Sequence, residues 1–347
     1  MTIPVIVVNW NGYDDTTECI ASIIQSDYLD FKVYLVDNGS ANNEGIRLRD
    51  DWNSENRVEV RILPENLGFA RANNIILNEL LQESYSVVFL LNNDTIIDKN
   101  CLARLIQAQQ ESGANMVSAK ILNYYHREII DNLGHQMLNT GEVVPIGHGQ
   151  SANKYQHSFQ NFGACAGAAL YSLEMIRDIG VFDEYFSTGY EDAELGVRAI
   201  VSGYHGIYAP DAKVYHKMGQ SIKKVFNHDY ALMIQTCIWY TYLKLMPPGV
   251  IVLSLPFIIV KMILLSVINI FFLRWHYLRM QWQAIFHTLN SYQEIMKKRH
   301  DFHANHRVIS SISILRKQRF FLLFDLKRFY HIFIRGNKSA VDSYGGR

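Results

Sequence analysis

Over residues 1–120, short runs of aliphatic and β-branched residues alternate with stretches whose apolar positions recur every three or four residues. That alternation predicts βαβ units around a mainly parallel sheet. Ile3–Val8 reads as the first strand, and a helix is expected from Asp15, whose side chain can cap it, with Glu18 three residues on and Ile20, Ile23 and Ile24 along one face. Phe31–Val36 reads as the second strand and Val58–Leu63 as the third. Phe69, Ala72, Ile76, Leu77 and Leu80 fall at helical spacing, and Val87–Leu91 is a further strand.

These strands end in polar turns: Asn9 after the first, Asp37-Asn38-Gly39-Ser40 after the second, Asn92-Asn93-Asp94 after Val87–Leu91. In open α/β sheets the ligand crevice lies outside the carboxyl ends of the strands, so Asn9, Asp37 and Asp94 are expected at one site. Residues 122–162 have weak periodicity and read as loops or an irregular β excursion. From Phe226 the pattern turns helical and aromatic. Gly249–Leu273 is a long apolar stretch that Pro256 and Lys261 are expected to break into pieces of about 12 residues, nearer an interfacial segment than a bilayer span.

Composition changes this picture in two ways. At 347 residues, 49% hydrophobic and 19% charged, the chain can fill one large core or two modest ones. The zero net charge hides an asymmetry, because residues 261–347 hold 15 Lys+Arg against 4 Asp+Glu, a net of +11, leaving −11 for the rest. With Trp275, Tyr277 and Trp282, that basic tail suits the anionic inner leaflet of a cell membrane, and so a peripheral cytoplasmic protein. The alternative is a soluble helical cap that packs on the catalytic part or on a second copy in a homodimer. Cys19, Cys101, Cys165 and Cys237 lie too far apart for a disulfide framework or zinc knuckle, which fits a reducing compartment. The apolar N-terminus lacks a basic flank and a cleavage site, and reads as a strand, not a signal peptide.

Candidate chemistry sits at the polar turns. Asp94 is a strand-end carboxylate of the kind that holds a divalent cation against a pyrophosphate, with Asn92 and Asn93 adding neutral oxygens. The plain alternative is a turn in which Asp94 caps the next helix. Glu191-Asp192 precedes a helical pattern, so the pair is either a well-placed N-terminal charge or a general base beside a group that orients an acceptor. His216 follows a probable strand and can give an imidazole to a metal. His300, His303 and His306 lie among Lys297, Lys298, Arg299 and Arg307 and fit a basic helix face better than a metal site.

Other classes fit less well. No Gly-x-Gly-x-x-Gly, Walker loop or His-Glu-x-x-His occurs. A nucleotidyltransferase would need a Gly-rich basic loop, and only Arg71 lies near the expected place. A synthase with its own channel would need more membrane-spanning sequence. A nucleic-acid-binding reading of the tail leaves the strand-end motifs unexplained, and no nucleic-acid partner is expected.

Seven segments in register resemble glycosyltransferase family 2, and more narrowly its bacterial rhamnosyltransferase-like members that build O-antigen, capsule and cell-wall polysaccharide. They are Val7–Gly12, Val36–Ser40, Asn66–Asn73, Leu90–Thr95, Gly163–Ala169, Phe182-Asp183-Glu184 with Glu191-Asp192, and His216–Ser221. The resemblance implies a GT-A fold: a catalytic domain over residues 1–225, with a nucleotide-binding half (1–120) and an acceptor half (121–225), then a helical membrane-interface region (226–347). It implies an inverting transfer from a nucleotide diphosphate sugar to a glycan acceptor, lipid-linked by this reading. L-Rhamnose from dTDP-rhamnose is the expected donor, with galactose, glucose, N-acetylglucosamine and fucose donors as alternatives.

By the same resemblance, Asp37 would recognise the base, Val8, Asn9 and Asn11 would line the nucleoside, and Asn66, Gly68, Arg71 and Asn73 would lie beside base and diphosphate, with Asn92 and Asn93 near the donor. Asp94 and His216 would hold Mg²⁺ or Mn²⁺, Asp192 would be the base, and Glu191, Gly163 and Gly167 would face the acceptor. Two departures stand out. Asn92 replaces an Asp common among relatives, and Tyr171-Ser172-Leu173-Glu174 stands where basic residues are usual.

Overall fold

The computed structural model describes residues 1–186, 189–217, 228–306 and 308–330. It divides into two compact units, one of Met1–His135, Pro145–Ala199 and Tyr204–Lys224, the other of Gln136–Val144, Ile200–Gly203 and Val225–Arg347. Met218–Ser221 of the last motif lie outside the described residues.

The first unit is built by the alternation read from sequence: β1 (Ile3–Asn9), α1 (Tyr13–Ile24), β2 (Phe31–Asn38), α2 (Glu44–Trp52), β3 (Val58–Leu63), α3 (Phe69–Leu80), β4 (Val87–Asn92), β5 (Thr95–Ile97), α4 (Cys101–Ser112) and β6 (Met116–Asn123). Short strands follow at β7 (Ile130–Asn132), β8 (His135–Met137), β9 (Val143–Pro145) and β10 (Phe159–Asn161), where weak periodicity predicts loops or an irregular β excursion; β8 and β9 pair with each other and lie mostly in the Gln136–Val144 segment of the other unit. Then come β11 (Ala168–Ser172), α5 (Leu173–Ile179), α6 (Glu191–Val201) and β12 (Gly206–His216).

The sheet order is β10-β12-β6-β11-β4-β1-β2-β3, with β5 on β12 and β7 on β6. β1 runs parallel to β2 and β4, while β11 is antiparallel to both β4 and β6, so β6 and its parallel neighbour β12 point the same way as β1. Hence Asn9, Asp37, Asn92 and His216 all emerge at one edge. Val5, Val7, Val33, Leu35, Phe89 and Leu91 are buried under Ile20 and Ile23 of α1 and Leu102 and Leu105 of α4. Each such side chain contributes about 1.5–3 kcal/mol by leaving water, enough to hold the strand ends rigidly. Pro210, which has no amide hydrogen, lies within the register shift of β12 between Tyr208 and Lys213.

Two expectations need correction. Helix α1 starts at Tyr13 with Gly12 as its cap residue, not at Asp15, because Asn9 Oδ1 accepts from the Gly12 amide (3.2 Å) and the Thr16 hydroxyl (2.8 Å) and so fixes the helix start from the strand end. Asp15 instead accepts from Lys217 (2.7 Å).

The second correction lies in the other unit, which has α7 (His228–Leu245), α8 (Pro248–Phe271), α9 (Trp275–Asn290), α10 (Tyr292–Asn305), α11 (Ser311–Lys317) and α12 (Phe321–Phe329). The apolar stretch is not broken into two pieces. It is the single 24-residue helix α8 with Pro256 inside it. Proline removes one amide from the helical ladder without ending it here. Lys261 is held by Glu142 (2.8 Å) and Asp325 (3.0 Å), which neutralise its charge within the unit. Most of the helix's other side chains face outward, Val252 at 67% and Val267 at 58% exposure.

Candidate active site

Three clusters lie in the first unit. The first joins β1 and β2, whose register sets Asn9 opposite Asp37. Both are buried, and Asn9 Nδ2 donates to Asp37 Oδ1 at 2.7 Å. Asp37 Oδ2 accepts the Ser40 amide (3.2 Å), and the Ser40 hydroxyl accepts the Asn11 amide (2.9 Å). Gly45 leaves room here, since a β-carbon on it would stand 2.6 Å from Asp37 Oδ2. Beside this cluster, Asn38 accepts from the Leu67 amide (2.9 Å) and donates to Asn66 Oδ1 (2.9 Å), which itself accepts the Gly68 amide (2.8 Å). Gly68 has φ 83° at the head of α3, a left-handed conformation that a side chain disfavours.

The second cluster is formed by the ends of β4 and β12. Asp94 Oδ1 lies 3.1 Å from His216 Nε2, and His216 Nδ1 lies 2.6 Å from Asp131 Oδ2. Asp131 Oδ1 in turn is 3.3 Å from His148 Nδ1. Burial alone pulls the His216 imidazole down, but the Asp94 and Asp131 carboxylates more than reverse this and hold it well above its ordinary value. Burial raises Asp94 and His216 outweighs it, leaving that carboxyl below its usual range. Asp131 is likewise lowered, burial being overcome by His148 and His216. Asp94 and His216 thus bring one carboxylate oxygen and one imidazole nitrogen within 3.1 Å of each other, a donor pair of the kind that holds a divalent cation.

The third cluster surrounds the start of α6. Gly163 and Gly196 pack backbone to backbone, a β-carbon on Gly196 meeting Gly163 Cα at 2.8 Å. Gly163 also accepts the His135 amide through its carbonyl (2.8 Å). This contact sets Asp192 against the preceding loop, where its Oδ2 accepts from the Ala166 amide (3.0 Å) and lies 3.8 Å from His135 Nε2. Glu191 is buried, and its Oε2 has no hydrogen-bond partner among the described residues. Burial, and then the neighbouring Asp192 charge, push its carboxyl up to about 8. Tyr190, just before the helix, takes φ 75°, a conformation that costs about 1–2 kcal/mol in a non-glycine residue and is a mark of functional sites. Ligand-type atoms of His135, Cys165 and Asp192 lie within 4.8 Å of one another. Burial and the Asp192 charge hold the Cys165 thiol well above its ordinary value, so it stays protonated.

Of the remaining candidates, Val8, Asn92 and Asn93 lie at the same strand ends, Asn93 reaching Asn9 Oδ1 at 3.4 Å. Asn92 lies beside Gly167, whose carbonyl accepts the Asn92 amide (3.0 Å), and Asn93 donates to Thr16 (2.9 Å). Val8 lies in β1 opposite Val36 and Asn92. Arg71 is more than half exposed and pairs with Glu184 (3.2 Å). Asn73 is buried and donates to the Phe69 carbonyl of its own helix (2.9 Å). Its neighbour Asn74, not singled out from sequence, bonds both the amide (3.1 Å) and the carbonyl (2.9 Å) of Phe182. Asp131, His135 and His148 were also missed, because they lie where the sequence has no periodicity and meet their partners only through the fold.

With this geometry described, comparison with known proteins adds the following. The sequence model for glycosyl transferase family 2 matches residues 5–180. An N-acetylglucosaminyltransferase of Rhizobium meliloti is 24% identical over 219 residues, covering 59% of this chain and 48% of that protein, so the chain spans about half of that relative's length. Among solved structures, GalNAc-T7 with UDP, GalNAc and Mn²⁺ aligns over 70% of this chain and 50% of its own at TM-score 0.53 and 15% identity. S. aureus TarS 1–349 in complex with UDP-GlcNAc aligns over 71% and 67% at TM-score 0.51 and 17% identity. These likenesses show the fold, which is GT-A.

Proposed function

The chain belongs to glycosyl transferase family 2, and from that premise we propose that it moves a sugar from a nucleoside diphosphate donor to an acceptor hydroxyl, inverting the anomeric carbon. The observation that carries this reading is the meeting of Asp94 and His216 at 3.1 Å on the same sheet edge as the Asn9–Asp37 pair. A metal pair and a nucleoside pocket at adjoining strand ends are what a nucleoside diphosphate needs.

Asp37, Asn9, Asn11 and the Asn66–Gly68 turn bind the nucleoside in this reading. Asp37 accepts two hydrogen bonds within the protein, and a carboxylate has about four lone-pair positions, so capacity remains for a pyrimidine N–H. Asp94 and His216 would hold a divalent ion, Mg²⁺ or Mn²⁺, which when bound would supply positive charge to the departing diphosphate. Asp192 takes the acceptor's hydroxyl proton while that oxygen bonds the anomeric carbon and the carbon–phosphate oxygen bond breaks, its electron pair leaving with the diphosphate. The Ala166 amide keeps Asp192 oriented, and Glu191, holding its proton to about pH 8, donates a hydrogen bond on the acceptor side with Gly163 and Gly167.

Residues 1–225 form the catalytic part in this reading, and residues 226–347 attach it to the inner membrane leaflet. The outward apolar face of α8 and the basic tail support that attachment, and a lipid-linked oligosaccharide in polysaccharide assembly explains it. The motif pattern favours L-rhamnose from dTDP-rhamnose. The rhizobial relative, an N-acetylglucosaminyltransferase, favours N-acetylglucosamine instead. A panel of nucleotide sugars assayed for hydrolysis with and without Mg²⁺ or Mn²⁺ separates the two. Cleavage of one donor only with metal is expected, and no cleavage or binding of any donor would end the transferase reading.

A further inference from the structure

We infer that Asp131 is the positioning residue that fixes His216 for metal binding. This rests on the reading of Asp94 and His216 as ligands, and no motif of the sequence pointed to it. β7 pairs with β6 out of step: Ile121 faces Asn132 and Leu122 faces Ile130, which leaves Asp131 as the extra residue of a bulge. A bulge redirects the side chain it carries, and such irregularities gather at functional sites. β6 also pairs with β12, with Asn123 opposite His216, so the bulge lies one strand from the imidazole.

The result is a directed chain of contacts. A carboxylate only accepts hydrogen bonds, so the 2.6 Å contact of Asp131 Oδ2 with His216 Nδ1 places a hydrogen on Nδ1. Nε2 faces Asp94 Oδ1 with the ring's second hydrogen between them, and it is the nitrogen that a metal would take in exchange for that proton. Asp131 is itself braced, because His148 Nδ1 lies 2.8 Å from its backbone carbonyl and 3.3 Å from Oδ1. A carboxylate behind a ligating histidine sets the ring's tautomer and angle, and removing such a partner lowers metal affinity by about 10–100-fold.

The test titrates Mn²⁺ alone into the full-length protein, with free Mn²⁺ read by electron paramagnetic resonance. Asp131→Ala is expected to weaken binding about 10–100-fold, and Asp131→Asn, which still accepts through its amide oxygen, by less. In a His216→Ala background, Asp131→Ala should cause no further loss, since Asp131 acts through the ring. If His216→Ala leaves Mn²⁺ affinity unchanged, the metal reading falls and this inference with it. If His216→Ala weakens binding while neither Asp131 variant does, or if Asp131→Ala weakens it further without His216, only the role of Asp131 is overturned.

Discussion

Glu191→Gln tests the electrostatics of the acceptor side. The folded protein holds the Glu191 proton to about pH 8, against an ordinary 4.5 for the unfolded chain. Between those values the native state binds more protons than the unfolded state, so stability falls as pH rises and levels off above about 8. At ~1.36 kcal/mol per pH unit, the loss reaches on the order of 3 kcal/mol by pH 7. Glutamine cannot ionise and removes that slope. Urea unfolding of both proteins from pH 5 to 8 should show the variant's advantage growing by about 3 kcal/mol or more, other titrating groups being common to both. Turnover at pH 7 should stay within about tenfold, because the amide also donates a hydrogen bond. Parallel stability curves across this range would refute the buried, protonated carboxyl, and a loss of turnover as deep as that of Asp192→Asn would refute the donor role.

Other substitutions probe the remaining links. Asp192→Asn should cut kcat by about 10²–10⁴ while nucleoside diphosphate affinity, measured by calorimetry, changes less than twofold, since the base acts only on the acceptor. Gly196→Ala would gain about 1 kcal/mol from helix propensity, but its β-carbon would meet Gly163 Cα at 2.8 Å, so urea denaturation should show a net loss of about 1–3 kcal/mol. Full-length protein should float with anionic liposomes at low salt, and Val252→Asp with Val267→Asp should leave it in the soluble fraction. Flotation unaltered by this double substitution would remove α8 from membrane contact.

The central strands β1, β2 and β4 were legible because they are buried on both faces and therefore read as nearly continuous apolar runs, as in Val87–Leu91. Asn9, Asp37 and Asp94 were legible as a group because strand direction puts all three at one edge. Asp131 behind His216 and His135 beside Asp192 were not. Asp131 owes its position to a bulge in a three-residue strand, and His135 reaches Asp192 only because Gly163 and Gly196 let α6 approach closely. No local pattern encodes either arrangement. The expected break in α8 failed for a related reason: the carboxylates that neutralise Lys261 come from Glu142 and Asp325, far away in sequence.

Calorimetric titration of UDP and dTDP, with and without Mn²⁺, into the wild type and Asp94→Asn tests the central claim most directly. The account predicts that Mn²⁺ tightens binding of at least one of the two nucleotides at least tenfold in the wild type and leaves the variant at its metal-free affinity. Equal tightening in both proteins, or none in the wild type, would contradict a metal held by Asp94 against the diphosphate.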